Sequence, residues 1–279
     1  MVEIRNMSFG YKKKKLFSGL DLTLLPGNIY GLLGKNGAGK TTLLKIISGL
    51  RLAQKGSCSV LGRDPARRPA LLLEEICFIA EELYVPALSL DVFEALHAPL
   101  YPRFDHQAFR SYLGEFELTA DKKLSELSYG QKKKFLIAFG LASRCRLLLM
   151  DEPTNGLDIP AKSQFRRLLA RAGGTDQVIL VSTHQVRDME NLIDPLIILD
   201  DGRIIFQQAL REVGSRLRAS IESAEPTDEG ALYAEKTLGG WAVLRGNAGG
   251  EETRMDLETL FNAVTAEGGR VRALFAKGA

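Results

Sequence analysis

The chain has 279 residues, 45% hydrophobic and 25% charged, with a formal net charge of +3. That composition supplies a sizeable core and excludes a disordered chain, while so small a charge gives no ground for nucleic acid or a membrane surface as a partner. Cys58, Cys77 and Cys145 stand alone with no metal-ligand spacing, and their odd number argues against a disulfide framework and suits a reducing compartment. Residues 2–9 alternate and predict a strand ending at Phe9-Gly10-Tyr11. The run Lys12 to Lys15 reads as a solvated turn in preference to a polyanion site, and a second strand follows near Leu20 to Leu25. Pro26-Gly27 marks a turn.

The apolar run Ile29 to Leu33 then predicts a buried strand, and Leu43 to Leu50 a helix. Between them, Gly34 to Thr41 fits the pattern G-x-x-x-x-G-K-[ST]. Strand, glycine loop and helix are the context in which backbone N–H groups cradle phosphate oxygens. Gly34, Asn36, Gly37, Ala38, Gly39, Lys40, Thr41 and Thr42 are therefore the phosphate-binding candidates. Lys40 would reach the outer phosphates as a point charge, and the Thr41 hydroxyl would meet Mg²⁺.

Ser57 to Leu61 and Glu75 to Ala80 predict strands, the second followed by the acidic pair Glu81-Glu82. From about Pro86 to Ala142 the apolar spacing becomes helical, over Asp91–His97, Asp105–Phe116 and Gly130–Ser143, with Asp91 and Asp105 as expected caps. His97 and His106 fall in this block and are read as structural. Arg146 to Met150 is an apolar strand ending in Asp151-Glu152. Carboxylates at the C-terminal end of a buried strand suit a magnesium-bound water shell and the activation of a water. Pro160 to Ala172 reads as a helix and Val178 to Ser182 as a buried strand. His184 lies just beyond that strand, placed to contact a terminal phosphate. Leu196–Leu199 and Arg203–Phe206 predict a hairpin around Asp201-Gly202. Beyond Gln208 the character changes: a basic helix over 209–218, a loop over 223–230, a strand Trp241–Arg245, a glycine-rich turn Asn247–Glu251 and an amphipathic helix Asp256–Ala266. There is no signal pattern and no apolar run of membrane-spanning length, so any membrane crossing is expected of another chain.

With these residues placed, the chain over about residues 1–210 resembles the ATP-binding subunit of an ATP-binding-cassette (ABC) transporter. Its most specific element is Leu127-Ser128-Tyr129-Gly130-Gln131, similar to the family signature Leu-Ser-Gly-Gly-Gln. The resemblance implies an α/β fold: a P-loop NTPase core of the ABC type with an antiparallel β subdomain and a helical subdomain inserted over about 86–145. A small C-terminal α/β extension would fill 211–279. It implies ATP and Mg²⁺ as cofactors, with Tyr11 stacking on adenine. Glu152 would be the catalytic carboxylate, with His184 and Lys40 beside it, and Thr41, Asp151 and Glu81 would stand at the metal. Asn155-Gly156-Leu157-Asp158 resembles a loop that signals across a dimer. Ser128, Gly130 and Gln131 would meet the nucleotide bound on a second subunit.

Two positions depart from the family pattern. Tyr129 replaces the first signature glycine, and an acid, Glu81 or its neighbour Glu82, stands where the family has glutamine. The segments Leu100–Asp105 and Asp256–Phe261 resemble bacterial exporters whose permease is a separate chain. The implied partners are such a permease and a second ATPase subunit, with no nucleic acid. The implied location is the inner face of the cell membrane, held there through the permease. The rival expectation is a permease-free cassette acting as a regulator.

Overall fold

Alternating apolar residues build the first layer of the computed structural model, which describes residues 1–12, 14–119, 122–190, 192–249, 255–266 and 269–275. The chain opens with β1 (Val2–Tyr11), β2 (Lys14–Leu24), β3 (Asn28–Leu33), α1 (Lys40–Ile47) and β4 (Lys55–Val60). β1 pairs antiparallel with both β2 and β4. β2 begins at Lys14, earlier than expected, because Lys12 at φ +51 turns the chain back at once. Lys13 lies outside the described residues.

α2 (Ala70–Leu73) and β5 (Ile76–Ile79) lead into the helical block, α3 (Leu90–His97), α4 (His106–Glu115) and α5 (Tyr129–Ala142). Asp105 caps α4 as expected, accepting from the Ala108 N–H at 2.8 Å. The cap of α3 is Ser89, whose Oγ accepts from the Val92 N–H at 3.3 Å, not Asp91. Asp91 sits within the first turn, where an acid favours the positive end of the helix, and pairs with Arg110 at 2.7 Å. His97 stacks on Phe93 at 3.9 Å, and His106 meets Glu94 at 2.7 Å, both within the block.

β6 (Leu147–Asp151), α6 (Ile159–Ala172), β7 (Val178–Thr183), β8 (Leu196–Asp200) and β9 (Arg203–Gln208) complete a sheet in the order β5-β6-β7-β3-β8-β9. It is parallel except for the expected β8–β9 hairpin. All five residues of β6 are buried, the mark of a parallel strand covered on both faces. Leu147, Leu149 and Leu180 face the antiparallel layer and α1, while Leu148, Met150 and Ile179 face the core shared with Phe135 and Phe165 of α5 and α6. The hairpin turn is locked against β2: Gly202 has φ +71, and a Cβ there would stand 2.0 Å from the Leu16 carbonyl oxygen.

α7 (Leu210–Arg216) is shorter than expected, since the chain straightens at once into β10 (Leu217–Glu222). β11 (Ala231–Thr237) and β12 (Gly240–Gly246) join it in an antiparallel sheet of order β10-β12-β11, covered by α8 (Leu257–Thr265) and followed by α9 (Arg270–Ala273). β10 and β11 were not foreseen. The end of the expected glycine-rich turn, Gly250 and Glu251, lies outside the described residues. Leu217, Leu244, Leu257 and Leu260 belong to the same buried cluster as Ile198 and Phe206, so this C-terminal unit continues the core of the main sheet.

Candidate functional site

The site forms where β3 ends and α1 begins. Gly37 and Gly39 have φ of +80 and +108, left-handed values that suit residues without a Cβ. At Gly39 a Cβ would also meet the Phe17 ring at 2.7 Å. The loop thereby bends back, and Lys40 Nζ donates to the Gly34 carbonyl at 2.8 Å. α1 starts at Lys40 with no side-chain cap, leaving the N–H groups of its first turn free to meet an anion.

Around this loop lies a cleft of about 560 Å³, lined by Tyr11, Asn36, Gly37, Gly39, Lys40, Thr41, Thr42, Glu81, Glu152 and His184 among others. The fold thus gathers residues from β1, the glycine loop and the C-terminal ends of β5, β6 and β7, where an open parallel sheet offers its ligand crevice. Tyr11 is half-exposed at the rim, its hydroxyl 3.1 Å from Thr42 Oγ1 and its ring edge-on to Phe9 at 5.0 Å.

The two acids at the end of β6 point different ways. Asp151 is buried, and its Oδ1 accepts from the Ser182 hydroxyl at 2.5 Å. Glu152 adopts φ +45, which swings its carboxylate into the cleft. There Oε1 stands 2.9 Å from His184 Nδ1 and 3.7 Å from Lys40 Nζ, and Oε2 accepts from the His184 N–H at 3.3 Å. One oxygen of this carboxylate therefore has both an ammonium and an imidazole beside it inside the cleft.

Of the acidic pair after β5, Glu81 lines the cleft and Glu82 is exposed. Glu81 Oε1 accepts from Asn155 Nδ2 at 2.9 Å, so its carboxylate already has a partner from the loop after β6. In that loop Asp158 caps α6 through the Ala161 N–H at 2.8 Å. Among the described residues no group of three or more His, Cys, Asp or Glu is arranged to hold a metal. Thr41 and Glu81 at the cleft, with Asp151 behind, are hard oxygen donors that fit Mg²⁺ only alongside phosphate oxygens and water, the usual way this ion is held beside nucleotides.

Ser128, Gly130 and Gln131 do not line this cleft. Ser128 Oγ accepts from the Gln131 N–H at 3.2 Å and Gln131 Oε1 from the Ser128 N–H at 3.0 Å, a reciprocal cap on α5. At Gly130 a Cβ would stand 2.8 Å from the Gly156 carbonyl oxygen, so this glycine also serves a close approach within the chain. Tyr129 is no passive replacement: its hydroxyl donates to the Glu81 carbonyl at 2.8 Å.

One residue escaped the sequence reading. Lys133, on α5, is fully buried, and its ammonium donates to the carbonyls of Glu81 and Glu152, both at 3.3 Å. Burial pushes it below the ordinary lysine range, while Glu81, Asp151 and Glu152 all favour its charged form. The signal was present as helical spacing, since Tyr129, Lys133 and the buried Ile137 share one face.

A family model described as ABC transporter matches residues 17–155. The Nod factor export ATP-binding protein I of Burkholderia orbicola is 32% identical, over 93% of this chain and 84% of that protein. The lantibiotic transport ATP-binding protein SrtF of Streptococcus pyogenes is 30% identical, over 75% of this chain and 90% of its own length. A solved ATP-binding subunit of an ABC transporter superposes with a TM-score of 0.68 at 26% identity, covering 76% of this chain and 91% of that one.

Proposed function

The chain belongs to the ABC transporter family of ATP-binding proteins, and from that premise we propose that it powers a separate membrane permease working as an exporter. It binds and hydrolyses ATP. The observation that carries the site assignment is the convergence of Lys40 and His184 on one oxygen of Glu152, inside the cleft that the glycine loop borders. In this reading Tyr11 stacks on the base, and the loop amides and Lys40 hold the phosphates. Thr41, Glu81 and Asp151 serve Mg²⁺, which would offset the phosphate charge. A water attacks the γ-phosphorus as Glu152 takes its proton, ADP leaves, and His184 keeps the carboxylate in place.

Ser128 and Gln131 lie off their own chain's cleft, which supports a head-to-tail pair in which each signature helix faces the partner's nucleotide. No helix of the described residues is long and apolar enough to cross a membrane, and the proposal gives the crossing to the permease. A second groove of about 530 Å³, bordered by Leu50, Phe78, Leu100 and Tyr101, supports docking of that permease at the inner membrane face. The description of the Burkholderia relative names export, which supports the direction. Residues 1–210 are taken as the ATPase unit, with 211–279 as its extension.

The test is a pull-down of the tagged Glu152→Gln chain from its own membranes in Mg-ATP. A polytopic membrane protein in stoichiometric yield supports the proposal. A well-folded dimer with soluble partners only would move the assignment to a permease-free regulator.

A further inference from the structure

α5 carries Lys132, Lys133 and Lys134 in succession, and only the middle one is buried. Its ammonium reaches the carbonyl oxygens of Ala80 at 3.5 Å and of Glu81 and Glu152 at 3.3 Å. It also lies 5.7 Å from the centre of the Tyr129 ring, an attractive placement for a cation. An ammonium has three donors and no acceptor, so three carbonyls satisfy it. Those carbonyls belong to the end of β5 and the end of β6, the two strands that deliver Glu81 and Glu152 to the cleft.

The backbone of Glu152 needs such a hold. Its φ of +45 is a conformation that a non-glycine residue keeps only when its surroundings impose it. The Glu152 N–H is fixed by the Ser182 carbonyl at 3.1 Å, and its own carbonyl by Lys133. The same ammonium sits beneath a site that carries an acid, Glu81, in addition to Asp151 and Glu152. Tyr129, one turn earlier, closes the unit by donating to the Glu81 carbonyl.

We propose that Lys133 is a positioning residue for ATP hydrolysis: it holds the backbone that aims Glu152 and neutralises the negative charge that Glu81 brings to the cleft. This rests on the assignment of Glu152 as the base. The two departures from the family pattern, Tyr129 and Glu81, are then parts of one device, joined through Lys133.

The test is steady-state phosphate release by the full chain with Mg-ATP. It compares Lys133→Gln, Glu81→Gln and the double variant, with Glu152→Gln as reference and a thermal midpoint for each. Lys133→Gln is expected to lower kcat by about tenfold with the KM for ATP within about twofold, because the interaction acts on the reacting group rather than on ATP. Adding Glu81→Gln is expected to recover at least about threefold of that loss, since the charge to be offset is gone. A wild-type kcat in Lys133→Gln overturns the proposal. So does a loss that follows the midpoint and that Glu81→Gln leaves untouched, which would be ordinary packing. If Lys133→Gln alone does not fold, the double variant is read against Glu81→Gln: a kcat lower by no more than about threefold supports the proposal, and a kcat lower by about tenfold or more overturns it. Wild-type turnover in Glu152→Gln would instead undo the assignment of the base, and the proposal with it.

Discussion

In the nucleotide cleft, Lys40 and Glu152 stand 3.7 Å apart with side chains only 8% and 6% exposed. Where the C-terminal helix α8 meets the turn after β7, Arg187 and Glu258 approach to 2.9 Å with side chains 80% and 50% exposed. Distance ranks these pairs in the wrong order. Water screens the closer pair and contributes little to the other, so the longer contact carries the stronger field. The cleft concentrates charge where solvent is scarce, and the C-terminal unit spreads it over a wetted rim around an ordinary apolar core.

Four substitutions would break or sharpen that contrast. Glu152→Gln removes the proposed base, and phosphate release should fall by about 10²–10⁴-fold while calorimetric ATP affinity stays near wild type. Near-normal hydrolysis would take Glu152 out of its role. Leu260→Ala empties a fully buried site beneath the C-terminal sheet and should cost about 2–5 kcal/mol in urea denaturation. A single transition would agree with the shared core, whereas two separate ones would show that the C-terminal unit melts by itself. Lys40→Ala deletes the proposed phosphate contact and should weaken Mg-ATP binding by about 10–100-fold, as loss of a hydrogen bond to a charged group does. Unchanged affinity would sink that assignment. Arg187→Ala should cost under about 1 kcal/mol and leave turnover unaltered. A change in turnover would reveal that α8 influences the neighbouring His184.

The cleft was legible because its chemistry needs particular residues at fixed spacing. Gly37 and Gly39 declare a left-handed loop, Lys40 and Thr41 declare its ligand, and the apolar strand ending in Asp151-Glu152 declares the opposite wall. The β8–β9 hairpin was legible for the same reason, through Asp201-Gly202. β10 and β11 were not. β10 follows α7 without glycine or proline between them, so the helical pattern reads straight through Leu217. β11 holds Glu235 and Lys236, residues disfavoured in strands, and owes its form to pairing with β12. Lys133 was hidden in another way. In a run of three lysines the sequence shows a solvated face, and only the four-residue spacing to the buried Ile137 marks the middle one as inward. Ser89 displaced Asp91 as the cap of α3 because both residue types suit that role, and two positions of register decided between them.

The strand that bears the phosphate loop has neighbours on both sides. β3 runs parallel to β7 along its whole length and to β8 over Gly31–Leu33, with the Gly31 amide also held by the Pro195 carbonyl at 3.1 Å. Its amide protons therefore open to solvent only when the sheet itself parts, which places them among the slowest-exchanging in the chain. The loop that borders the cleft is thus anchored on the part of the molecule that breathes least, so each turnover restarts from the same geometry.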